Sequence, residues 1–192
     1  MSKFRRANEG GVTLLETAII IPMLLMLAIG MAEVGFLLID QMAVANAARE
    51  GARVGAAAAT LDNGPGDNAD TLILRSVEQA LCHIENGRAE RVVIYLANAD
   101  GGMADASKVN EYVLPADTDL NCSAGGPTTF ICDPPGSCVW LGGARDNIPP
   151  DLDDIGVEVY YKHDPILGIF PFTALMDLSD RAVMRIEPDT RG

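Results

Sequence analysis

Basic residues are scarce in this chain: 14 lysines and arginines stand against 27 aspartates and glutamates in 192 residues, a net charge of −13. Phosphate binding needs clustered Lys and Arg, so the composition argues against nucleic acid as a partner. The acidic balance reads instead as a soluble, self-repelling surface. Histidine is scarcer still, with His83 and His163 alone. Ser137 and Ser179 lie far from any nucleophile signature, and Asp100-Gly101-Gly102 lacks the lysine and spacing of a phosphate loop. Asp151, Asp153 and Asp154 do not have the spacing of a calcium loop and read as a solvated acidic turn. No Cys-x-x-Cys pair occurs, which weighs against a zinc site built from Cys82, His83, Cys122 and Cys132 or Cys138. The chain therefore reads as a non-enzyme with no cofactor and no metal.

What it does have is one long apolar run. From Val12 to Ala32 there are 21 residues, with Glu16 as the sole ionisable one. At about 1.5 Å per residue such a helix is about 31 Å long, matching a hydrocarbon core of ~30 Å. Lys3, Arg5 and Arg6 precede it and hold the N-terminus in the cytoplasm, so everything beyond about Ile39 lies outside. Removing residues 1–11 leaves 11 basic and 26 acidic residues, or −15.

Gly11 closes the basic leader, and Glu16 follows five residues inside the apolar run. A carboxylate there costs a few kcal/mol and marks a function with a definite partner. A glycine at the junction followed by this carboxylate is the pattern of a class III, prepilin-type signal. Cleavage after Gly11 creates a charged amine on Val12, one helical turn from the Glu16 position of a staggered neighbour, and pairing the two neutralises both in lipid. The competing reading is a carboxylate that snorkels to the interface or protonates. A double-glycine leader at Gly10-Gly11 fits poorly, because Met1, Phe4 and Ala7 are the only apolar residues before it. An ordinary secretory signal is shorter and ends in a small-x-small site.

Four cysteines in an exported domain read as two disulfides. Cys132 and Cys138 enclose the turn-forming stretch Asp-Pro-Pro-Gly-Ser, which leaves Cys82 for Cys122.

The helix is expected to run on from Val12 to Ala59, since Ile39 to Ala59 is rich in good helix formers, with Pro22 tolerated inside the span. Ala43, Ala47, Gly51, Gly55 and Ala59 recur every four residues and share one face. They admit a closely approaching backbone, either a neighbouring helix or this protein's own domain. Leu61 to Asp70 is a linker by composition. Thr71 to His83 reads as an amphipathic helix capped by Asp70 and ended by Asn86-Gly87. Val92–Ala97, Ile155–Tyr161 and Ala182–Ile186 read as strands, the last with Ala182, Met184 and Ile186 on one face. Asn98 to Asp154 is mostly loop, with short strand candidates at Tyr112–Leu114 and Val139–Leu141. A connection that long requires staples or a function. The expected fold is α+β: a leader over 1–11, a transmembrane and assembly helix over 12–60, and an extracytoplasmic domain over 61–192 with a short antiparallel sheet of about three to four strands.

The residues Glu16, Ala18, Pro22, Leu24, Leu27, Gly30, Glu33 and Gly35, followed by Asn46-Ala47-Ala48-Arg49-Glu50-Gly51-Ala52-Arg53, resemble the TadE-like family of pseudopilins or minor pilins of tight-adherence (Flp) pili. Ala182-Val183-Met184-Arg185-Ile186-Glu187 is a weaker echo. Leu15 and Thr17 stand where the family often has Val and Phe, and nothing from Leu61 to Pro150 is similar to a named family. The resemblance implies processing by a prepilin peptidase. It also implies partners among other pilins or pseudopilins and the inner-membrane pilus assembly platform, and a role in assembling, priming or tipping the pilus. The alternative is an uncut, inner-membrane-anchored binding or scaffold domain.

Overall fold

The computed structural model describes residues 4–61, 68–84, 87–123, 125–165 and 176–188. A single helix, α1 (Phe4–Ala58), takes up 55 of them. It begins ahead of Val12, where the sequence suggested a start, and runs through Pro22 without ending. It gives way to a turn at Ala59, where Leu61 N–H bonds Ala58 C=O at 3.0 Å. Of the expected linker, residues 62–67 lie outside the described residues, as does Asn86.

Helix α2 (Ala69–Leu81) follows, then β1 (Gly87–Leu96), β2 (Val109–Val113), β3 (Ile131–Cys132), β4 (Asp154–His163) and β5 (Met176–Arg185). The five strands form one sheet in the order β3-β2-β1-β4-β5, every pair antiparallel. The fold is α+β, with one strand more than the upper expectation.

Two local expectations are corrected. The cap of α2 is Asn68, whose backbone is extended and whose Oδ1 accepts Thr71 N–H at 2.9 Å. Asp70, expected as the cap, sits inside the first turn, where its charge still complements the helix dipole, but its carboxylate is committed to the interior. The segment Val139–Leu141 is no strand. Asn110 accepts from Trp140 N–H at 3.1 Å and donates to Trp140 C=O at 2.9 Å, so a side-chain amide takes the bonds a ladder would have used. The short pairing falls instead at β3, where Tyr112 opposes Cys132 and Val113 opposes Ile131.

The upper part of α1 and α2 cover one face of the sheet. Val44, Ala47, Ala48, Ala52 and Ala56 meet Ile73, Leu74, Val77 and Leu81 of α2 and Val92, Ile94, Ile155, Val157, Val159 and Tyr161 of the strands in one buried cluster. Leu178, Ala182 and Met184 join this cluster from β5, with Ile186 just beyond it, the face anticipated for that strand. On the opposite face Val93, Tyr95 and Ala97 form a smaller cluster with Val109, Tyr160 and Val183. There the Tyr95 ring lies over Gly156, where a Cβ would come within 2.4 Å of it, and its hydroxyl donates to Gly101 C=O at 3.0 Å.

The small residues of α1 set the spacing of the layers. A Cβ on Gly51 would stand 2.8 Å from Val77 Cγ2 and 3.1 Å from Val157 Cγ1. One on Gly55 would stand 3.1 Å from both Ile155 Cδ1 and Ile73 Cδ1. Overpacking such a contact costs about 1–3 kcal/mol. Gly51→Leu should therefore lower the denaturant midpoint of the full-length protein in detergent, followed by Trp140 fluorescence, while Ala57→Leu on the exposed face leaves it in place. Equal midpoints for the two variants would refute the close-packing account.

Candidate assembly interface

The segment that carries the suspected signal stands clear of the rest of the molecule. Gly11 is exposed, with nothing within 4 Å of the place a Cβ would occupy. Glu16 is exposed as well, as are the apolar side chains around it, including Leu14, Leu15, Ile19, Ile20 and Ile21. Lys3 lies outside the described residues, as do the side chains of Arg5, Arg6 and Val12. Because residues four apart share a helix face, the backbone places Val12 and Glu16 on the same side of α1. Nearby, Thr17 folds its hydroxyl back onto Thr13 C=O at 2.8 Å, which satisfies it within the helix.

The small-residue ladder faces elsewhere. Ala47, Gly51, Gly55 and Ala59 are buried, and Gly51 and Gly55 approach α2 and the sheet. Ala43 is half-buried at the lower end of the row. Of the two occupants the ladder admitted, the protein's own domain is the one in place over its upper four positions.

Three buried polar anchors hold that domain to the helix and its own long loop. At the lower end, Asp40 Oδ2 of α1 and His163 Nδ1 at the end of β4 are 2.6 Å apart, both buried. Gln41 Nε2 donates to Ser179 C=O of β5 at 3.4 Å, and Glu33, a turn or two below, is buried too. The neighbouring Tyr161 hydroxyl has no partner among the described residues. Burial, then the negative charges of Asp40 and Asp164, push its phenol well above the ordinary value.

At the upper end, Asp70 Oδ1 meets Arg145 Nη2, with both side chains withdrawn from solvent. Asp70 Oδ2 accepts from Asn110 Nδ2 at 2.6 Å and from the Tyr112 hydroxyl at 2.7 Å. Burial, with the adjacent Asp70 charge and this bond, raises the Tyr112 phenol far above its usual value, so it remains a donor. Arg145 also bonds Trp140 C=O at 3.0 Å and lies 4.6 Å from the centre of the Trp140 ring. The third anchor is Glu78 of α2, whose Oε1 accepts from Thr128 Oγ1, Thr129 N and Thr129 Oγ1 at 3.1, 2.7 and 2.6 Å.

The disulfides lie beside these anchors. Cys82, just past α2, joins Cys122 with Cα atoms 5.7 Å apart, and Cys132 joins Cys138 at 6.0 Å. Among the described residues no group of three or more His, Cys, Asp or Glu is arranged to hold a metal ion.

Asp40, His163, Arg145 and Glu78 were not singled out from the sequence as interacting groups, and Asp70 was read only as a helix cap. Asp40 alone left a visible signal there: it follows Glu33 by seven residues in an otherwise apolar stretch, on the same helix face.

Comparison with known families bears on the helix. Residues 11–53 match the family model described as TadE-like protein. The matched segment takes in the glycine junction, the apolar span, Glu33, Asp40 and the start of the ladder, and stops before the sheet. No curated protein and no solved structure matches the chain. The match covers less than a quarter of the chain, and α1 is long and apolar enough to cross a membrane once.

Removing one partner of a buried ion pair leaves an uncompensated charge and costs about 3–5 kcal/mol. Arg145→Met should therefore destabilise the folded chain by roughly that amount in denaturant unfolding. Arg185→Ala, at the exposed pair with Asp154, should leave the midpoint within experimental scatter. A small effect for both would show that the Asp70 network does not hold the loop.

Proposed function

We propose that this chain is a pilin-like subunit of a tight-adherence pilus system, cut after Gly11 by a prepilin peptidase and assembled through its membrane helix. Residues 1–11 are the leader, 12–60 the transmembrane and assembly helix, and 61–192 the extracytoplasmic domain. The subunit resides in the inner membrane with its N-terminus in the cytoplasm. It works with other pilins or pseudopilins and the assembly platform, in assembling, priming or tipping the fibre, and performs no catalysis. The observation that carries this reading is Glu16, an exposed carboxylate among exposed apolar side chains, five residues past an exposed glycine. An acid so placed calls for a partner, and the amine created on Val12 of a neighbour supplies one of opposite charge.

The mature protein should begin at Val12. Mass spectrometry of the chain made together with its peptidase should show the loss of the first 11 residues. Full-length chain alone, or a cut beyond Ala32, would sink the processing claim in favour of an uncut anchored scaffold.

Glu16→Ala separates assembly from anchoring. A carboxylate merely tolerated at the interface is dispensable, and its loss makes insertion easier by up to a few kcal/mol. One that pairs with a neighbour's amine leaves that charge uncompensated when removed. Glu16→Ala should give a cleaved, membrane-resident protein that no longer co-purifies with its pilin partners or restores pili to a deletion strain. Normal piliation by this variant would return Glu16 to a snorkelling role.

A further inference from the structure

The outer edge of β2 is closed by very little. Leu114 N–H bonds Glu90 C=O at 2.9 Å and Lys108 C=O accepts Leu96 N–H at 3.0 Å, so alternate residues of β2 turn their backbone to β1, while Glu111 and Val113 turn theirs outward. An open edge of this kind invites another strand. Here the cover is β3, two residues long, with Val113 opposing Ile131, and one further bond from Asp133 N–H to Glu111 C=O at 2.9 Å. The chain then turns away over exposed residues 133–137 and returns, so that Trp140 meets the Asn110 side chain. Cys132 and Cys138 join the outgoing and returning arms, and their bridge is a clasp across the edge.

Both sulfurs of this bridge lie beside groups suited to the reduced form. Cys132 Sγ is 3.0 Å from Cys138 N and 3.4 Å from Pro134 C=O, which supplies a donor for a thiolate and an acceptor for a thiol. Cys138 Sγ is 3.2 Å from Glu111 C=O, to which an S–H can donate. Whatever stabilises the dithiol makes a disulfide easier to reduce. Among the described residues, the sulfurs of Cys82 and Cys122 have no hydrogen-bonding neighbour of this kind. Exposure does not separate the two bridges, since Cys122 is open to solvent while Cys82, Cys132 and Cys138 are half-exposed.

We infer that Cys132–Cys138 is a redox-sensitive clasp on the β2 edge, opened by a dithiol while Cys82–Cys122 stays closed. One thiolate of the dithiol attacks Cys138 Sγ, the S–S bond breaks, and the electron pair leaves on Cys132 Sγ beside the Cys138 N–H. The second thiolate of the reductant then attacks its own sulfur in the mixed disulfide, which releases Cys138 as a thiol facing Glu111 C=O. Two electrons and two protons pass to the protein, and the reductant becomes a disulfide. Two residues of pairing are a weak hold once the arms part, so β3 leaves and the backbone of Glu111 and Val113 stands open to an added strand. The clasp is independent of cleavage after Gly11.

Full-length protein in detergent can be incubated with graded ratios of reduced to oxidised dithiothreitol, quenched by alkylation and mapped by peptide mass. Cys132 and Cys138 should be labelled at a ratio about tenfold lower than Cys82 and Cys122, and oxidised dithiothreitol should restore the bridge. In the selectively reduced protein the Val113 amide should exchange with deuterium about tenfold faster, while amides of β1 and β4 keep their protection. Cys132→Ser combined with Cys138→Ser should give the same Val113 exchange without reductant and with Cys82–Cys122 intact. Where the double variant does not fold, titration and exchange of the native chain decide alone. Labelling of Cys82 and Cys122 first, or of all four together, would overturn the inference, as would an unchanged Val113 amide in the selectively reduced protein. Loss of protection in β1 and β4 along with β2 would overturn it too and make the bridge a structural tie only.

Discussion

The molecule is organised around one helix that is bare and apolar along its lower part and packed along its upper part. From Thr13 to Ala32 α1 is apolar all round except at Thr13, Glu16 and Thr17, and most of its side chains stand in the open. Above it, a row of alanines and glycines lets the same helix become the central element of a packed domain. Larger residues on that row would push α2 and the sheet outward and expose Ile73, Val77, Ile155 and Val157 to water. The short side chains are thus what allows a helix long and apolar enough to cross a membrane to continue, without a break, into the interior of a packed domain.

Polar groups then fix what apolar packing leaves undetermined. Small residues make a smooth surface along which a sheet can slide, and apolar contact is non-directional. The Asp40–His163 contact at the lower end and Glu187 N–H on Ala56 C=O at the upper end set the register of the sheet against the helix. The Asp70 and Glu78 networks do the same for the segment between β2 and β4, which has little regular structure of its own. Asp70 and Glu78 are each met by several donors, as burial of a charge requires.

Much of this was legible in the chain. The span, the ladder, α2 and the three long strands follow from hydropathy, spacing and β-branched content, all of them local properties. The face of β5 was correct because Ala182, Met184 and Ile186 alternate over a simple strand. What sequence did not show is pairing between distant residues. Asp70 looked like a helix cap because capping is decided within four residues, whereas its partners Asn110, Tyr112 and Arg145 lie 40, 42 and 75 positions away. Val139–Leu141 looked like a strand because its side chains are suitable, yet its backbone was already engaged by the Asn110 amide. Glu16 stood out for the opposite reason: an isolated charge in an apolar run requires no knowledge of the fold to be noticed.

The two ties between helix and sheet carry a mechanical consequence. Asp40 is joined at the His163 end of the β4–β5 pair and Ala56 beyond the far end of β5, so these strands run alongside the helix and are fastened to it at both extremities. Tension applied along the axis of α1 therefore reaches the sheet as shear, spread over the whole overlap, instead of peeling one contact at a time. A domain fastened this way stays seated on its helix while the helix is being pulled.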